Sequence, residues 1–89
     1  MENIAKDNVM TVVEIARIYT DLVKAEREIP EEEHQAKEKI NALRTKYHEM
    51  LMAKMRQERI GFSDRFDAAN KAFDLVREEE AKYGEKQGS

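Results

Sequence analysis

The residues of this chain that could do chemistry are few and stand far apart. Glu31 and His34 form a Glu-x-x-His pair, which sets a carboxylate and an imidazole one helical turn apart, as the metal ligands of di-iron bundles are set. Such a centre needs a second Glu-x-x-His and two more inward glutamates. The other histidine, His48, has Thr45 where its carboxylate partner would stand, and along a helix it lies about 21 Å from His34. The pair therefore reads as the acidic opening of a helix, where carboxylates meet the positive end of the dipole, and no metal or cofactor is expected. Cysteine is absent, which removes thiolate nucleophiles, thiolate metal sites and disulfides. Neither histidine has a serine or aspartate nucleophile beside it in a local motif, and Gly61, Gly84 and Gly88 do not make a phosphate loop. No catalytic residue is assigned and the chain is expected not to be an enzyme. An enzyme of unknown type, assembled from distant residues, stands as the last alternative.

Two further groups could bind rather than react. Lys37, Arg44, Lys46, Lys54, Arg56 and Arg59, with Arg65 just across a turn, make the middle of the chain basic: residues 36–60 carry +4, while residues 1–30, 31–35 and 61–83 carry −2, −3 and −2. That is a candidate nucleic-acid face on the second helix. A nucleic-acid domain is usually basic as a whole, however, and this chain has net charge −3. Three helices neutralising one another on folding account for the pattern without an outside partner. Met50, Met52 and Met55 form the second group. Unbranched thioethers make adaptable contact surfaces, so these are protein-docking candidates, with core filling or a self-association seam as the preferred reading.

The elements that must position these residues are helices. From Val9 to Val23 the chain is mostly apolar, and its charges Glu14, Arg17 and Asp21 recur at helical spacing, continuing to Lys24 and Glu28. Two apolar rows remain, Ile15, Ile18, Leu22, Ala25, Ile29 and Val9, Val12, Ala16, Tyr19, Val23, offset by about 100°. A helix with two adjacent apolar rows needs two partners. Its many β-branched residues lower its helix propensity, so burial must hold it.

Pro30 disfavours helix at Ile29 and suits the first position of a new one, with Glu31, Glu32 and Glu33 in its opening turn. A hairpin is expected there, ahead of a proline-kinked continuous helix. The second helix presents Ala36, Ile40, Leu43, Tyr47 and Met50, drifting to Leu51 and Met55. This row should cover the first row of helix 1, with Leu22 near Ile40 and Ile15 near Tyr47. Gly61 is expected to end helix 2 and Ser63 to cap helix 3. Helix 3 presents Phe66, Ala69, Phe73, Val76 and Tyr83, with Ala72 and Leu75 beside them, and should run along the second row of helix 1.

The reading is a single all-α domain over residues 1–83, a three-helix antiparallel bundle with helices about 3–27, 30–59 and 64–83 and a disordered tail 84–89. The alternative is a long helical hairpin that forms an intermolecular helical bundle, in coiled-coil fashion, as a homodimer. A chain of 89 residues buries only about 60–65% of its unfolded surface, so a homo-oligomer is expected. With no signal peptide or membrane span legible, the expected setting is the cytoplasm, or a host cytoplasm by analogy with small phage proteins. The expected function is non-catalytic protein binding by a small adaptor, assembly factor or inhibitor, ahead of a nucleic-acid-associated regulator using the basic face of helix 2.

Overall fold

The computed structural model describes the backbone of residues 10–88 and the side chains of residues 10–82. Three helices, α1 (Val12–Glu28), α2 (His34–Gln57) and α3 (Arg65–Gly88), pack on one another. The fold is all-α, a three-helix bundle in which α1 touches both partners extensively and α2 and α3 share the smallest contact.

Helix α1 begins at Val12. The Thr11 hydroxyl accepts from the Glu14 amide at 3.0 Å and the Glu14 carboxylate accepts from the Thr11 amide at 2.8 Å. This reciprocal capping box satisfies two amides that the first turn would otherwise leave unpaired. Thr11 itself is extended, so one helix running unbroken from near Asn3 is excluded, and the residues before Met10 lie outside the described ones. The signal was present in the sequence as Thr-x-x-Glu ahead of an apolar run.

At Pro30 the chain breaks rather than kinks. Ile29 is extended, and the Glu33 amide donates to the Pro30 carbonyl at 3.1 Å to close a turn. Glu31, Glu32 and Glu33 precede α2 instead of occupying its first turn, because that turn consumes the residues expected to open the helix.

The exit from α2 also differs from expectation. The Ile60 amide donates to the Met55 carbonyl at 2.8 Å and the Arg59 amide to the Arg56 carbonyl at 3.2 Å, with Arg59 in the left-handed region at φ 62. This paired closure is a Schellman motif. Ile60, just past the turn, packs against the core. Gly61 is therefore not the stop. Nor is Ser63 the cap of α3: the Asp64 carboxylate accepts from the Asp67 amide at 2.8 Å, while Asp67 accepts from the Ser63 amide at 2.9 Å. Helix α3 is described to Gly88 rather than ending at Tyr83. A glycine inside a helix costs only about 1 kcal/mol, so Gly84 is no obligatory stop.

A test of this turn follows. Arg59→Gly is expected to stabilise by about 0.5–1 kcal/mol, because an L-residue at positive φ is strained and glycine is not. Gly61 has no positive φ, and a Cβ there would meet nothing within 4 Å. Gly61→Ala should consequently be neutral or mildly stabilising. Urea midpoints decide, and a loss of about 1 kcal/mol for Gly61→Ala would return the helix stop to that glycine.

The core is a stripe along α1, Val12, Ile15, Ala16, Tyr19 and Thr20, closed by His48, Leu51, Met52 and Met55 of α2 and Ala68, Ala72 and Val76 of α3. It is narrower than two full rows. On α2 the buried row is shifted by one residue from the expected one, and Leu43 is 46% exposed. On α3 Phe66 is 77% exposed, and the seam consists of small residues, which let the helix approach closely.

Within the hairpin, Tyr19 meets His48 and Glu26 meets Asn41 and Arg44, which fixes the antiparallel register. The expected pairing of Ile15 with Tyr47 is displaced along the helix. Arg65 contacts His48 while Glu80 pairs with Arg17 at 3.9 Å, so the two ends of this ~22 Å stretch both meet the same level of the hairpin. Helix α3 packs on one face of the hairpin chiefly against α1, whose second-row residues Val12, Ala16 and Tyr19 are buried with Ala68, Ala72 and Val76.

Candidate functional site

The sequence candidates fall in different places. Met55 is fully buried, Met52 is buried and Met50 is partly buried against the core. The three methionines fill space between α2 and its neighbours, as the preferred reading of them had it. What the late part of α2 offers a partner is therefore set by other residues.

The basic residues do not gather on one face. Lys37 and Arg44 sit toward α1, where Arg44 Nε lies 2.6 Å from Glu26 and Lys37 Nζ lies 3.3 Å from Glu31. Lys54 pairs with Glu58 at 3.8 Å and Arg65 with Glu49 at 3.8 Å. The Arg56 guanidinium stands 5.5 Å from the Phe62 ring centroid, a cation–π contact. Lys46 and Arg59 are exposed on other sides. Of the seven cations in residues 36–60, Lys37, Arg44 and Lys54 are answered by carboxylates of the turn, of α1 and of α2 itself.

Glu26 is the centre of that compensation. Its side chain and that of Arg44 are each about a quarter exposed, at 26% and 27%. Burial works against the Glu26 carboxylate. The Asn41 and Arg44 hydrogen bonds, with the charges of Arg44 and Lys37, outweigh it and hold its pKa below the ordinary 4.5. A carboxyl with a lowered folded pKa contributes stability that is complete above its unfolded pKa and is lost as pH falls through the folded one. Glu26→Gln is expected to cost about 1 kcal/mol or less near neutrality and to lose less stability than wild type between about pH 6 and about pH 3. Urea titrations at both pH values read the difference, and equal acid slopes would show the pair to be idle. At the turn into α3, Asp67 is held low in the same way by the Lys71 ammonium at 2.9 Å and the Ser63 amide.

The Glu31 and His34 side chains are both exposed, and Glu31 is engaged by Lys37. Among the described residues no three metal-ligating side chains converge, and no helix is long and apolar enough to cross a membrane. His48, by contrast, is 5% exposed. Its Nε2 lies 2.9 Å from the Arg65 carbonyl oxygen. A carbonyl only accepts, so Nε2 bears the proton, and Nδ1 is buried without a hydrogen-bond partner. With its ring 4.9 Å from that of Tyr19, His48 joins α1, α2 and the start of α3, a role no motif announced.

The outer side of the hairpin is where apolar surface accumulates without chemistry. Ile18, Leu22, Ala25 and Ile29 of α1 and Ala36, Ile40 and Tyr47 of α2 are half-buried, and Leu43 is exposed. These are the rows that the sequence assigned to the internal α1–α2 contact. On α2, helical spacing puts Tyr47 about 160° around the helix from Glu49, which pairs with Arg65 of α3. Comparison of the chain with protein-family models, curated proteins and solved structures returned no match.

Proposed function

We propose that this chain is a non-catalytic protein-binding module, a small adaptor, assembly factor or inhibitor that acts through a helical surface and self-associates. One observation carries the reading: the α1–α2 hairpin has α3 on one face and a second apolar face, Ile18, Leu22, Ile29, Ile40 and Leu43, on the other. None of these five belongs to the core of the domain or to the apolar residues packed against it. A contiguous apolar strip with a charged border is the usual form of a protein contact surface. The net charge of −3 and the pairing of Lys37, Arg44 and Lys54 with carboxylates weigh against the nucleic-acid alternative.

The test uses immobilised wild-type chain and the double variant Leu22→Glu, Leu43→Glu. Both are expected to show the same helical circular dichroism. A protein captured from lysate should, once purified, bind the wild type and lose at least about tenfold affinity for the variant. Equal binding to both would remove the strip from the function, and the reading with it.

A further inference from the structure

We propose that the occupant of the outer face is a second copy of this chain, seated about a two-fold axis parallel to the hairpin helices, with α1 of each copy against α2 of the other. The inference rests on the protein-binding reading and names its partner.

The apolar rows have the periodicity this requires. Ile15, Ile18, Leu22, Ala25 and Ile29 alternate spacings of three and four, as do Ala36, Ile40, Leu43, Tyr47 and Met50. That is the heptad seam of helices that pack nearly in line. Inside one copy only Ile15 of the two seams is buried, and Tyr47 and Met50 pack against the core from its edge; the others take no part in it. Two such hairpins stacked face to face bring four seams together and bury all of them.

The charges at the border select both the partner and the symmetry. Asp21 and Glu28 edge the α1 seam, seven residues apart, and Lys39 and Lys46 edge the α2 seam, also seven apart. All four are exposed, and none has an ion partner among the described residues. The positions directly beside the α1 seam carry carboxylates, with Lys24 one step further out, and those beside the α2 seam carry ammonium groups, so the surface is complementary to itself when rotated and not when merely copied.

Register completes the argument. Tyr19 stands beside His48 and Glu26 bonds to Asn41, so positions of α1 and α2 that share a level along the hairpin follow in antiparallel order, 21 with 46 and 28 with 39. A two-fold axis parallel to the helices exchanges α1 for α2 and leaves the level unchanged. Asp21 of one copy then faces Lys46 of the other, and Glu28 faces Lys39, each pair occurring twice. The other face-to-face two-fold, perpendicular to the helices, sets the acidic edge against itself. Interfacial pairs at these flanking positions choose partner and orientation in helical seams.

Sedimentation equilibrium of the full chain tests this. The wild type is expected to show a monomer–dimer equilibrium, and the Leu22→Glu, Leu43→Glu variant to weaken it about 100-fold or more. Asp21→Lys with Glu28→Lys, and separately Lys39→Glu with Lys46→Glu, should each weaken the dimer about tenfold. An equimolar mixture of those two charge variants should recover it as a heterodimer. The four charge changes lie at exposed positions, and circular dichroism confirms that each variant is folded. A wild type that stays monomeric, or a dimer indifferent to the seam variant, or a charge-variant mixture that fails to associate, overturns the proposal. A monomer that still binds another protein through Leu22 and Leu43 overturns this inference and leaves the protein-binding reading intact.

Discussion

Leu51→Ala is expected to lose about 2–5 kcal/mol of folding stability, whereas Leu43→Ala in the monomer should lose less than about 1 kcal/mol. Both are leucines on α2, eight positions apart, and the sequence alone places both on the inward row. Leu51 is 0% exposed and Leu43 46%. Truncating Leu51 removes methyl groups from a site enclosed by α1 and α3 and leaves a cavity; truncating Leu43 mainly returns area to water. At roughly 4–8 °C per kcal/mol for a domain of this size, the Leu51 variant should melt at least ~10 °C lower. Thermal unfolding read by circular dichroism, in dilute solution so that self-association does not contribute, checks it. Equal losses at the two positions would mean that the buried row of α2 has been assigned to the wrong side of the helix.

Replacing His48 should show the second large effect. His48→Ala is expected to cost about 2–4 kcal/mol, from the lost ring contact with Tyr19, the cavity and the abandoned Arg65 carbonyl. His48→Phe keeps a ring against Tyr19 and loses only the donor, so it should cost about 1 kcal/mol. The difference between the two separates packing from hydrogen bonding. If both variants unfold within about 0.5 kcal/mol of wild type, an ordinary surface result, His48 does not tie the three helices together. Because the imidazole bonds the first residue of α3, the Ala variant should also loosen α3 before the hairpin, visible as earlier hydrogen exchange in that helix.

The face-to-face dimer and the monomer's own core make different demands on the same helices, and the residues divide accordingly. Tyr19, Leu51 and Met55 serve the fold, while Leu22 and Leu43 stand outside its core. A variant can therefore damage one without the other. Mutational effects on melting and on association should separate along that line instead of tracking each other.

Three helices, the break at Pro30 and the turn before Asp64 were legible in the amino-acid order. Apolar spacing, proline geometry and short polar runs are local properties, and each acts within a few residues of where it is written. The Thr11–Glu14 capping box is equally local, a signal that the expected start near Asn3 did not use. Part of the basic segment meets carboxylates from outside it, Arg44 with Glu26 and Lys37 with Glu31.

What the order of residues left open was which apolar row faces inward. Helix α1 carries two rows and α2 carries a heptad row beside the one that holds His48 and Leu51, so periodicity alone supports either choice. The expected arrangement puts both rows of α1 inside and, on α2, the heptad row running on to Leu51 and Met55. Tertiary packing decided otherwise: Ala16, Ala68 and Ala72 let α3 come close to α1, and the place where three helices meet is buried more completely than a seam between two. The same choice turned Leu43 and Phe66 outward, put Met52 and Met55 inside, and moved the left-handed residue from Gly61 to Arg59. Helical character is a one-dimensional property that spacing determines, whereas inward and outward depend on where a third helix lands, and only the assembled chain contains that information.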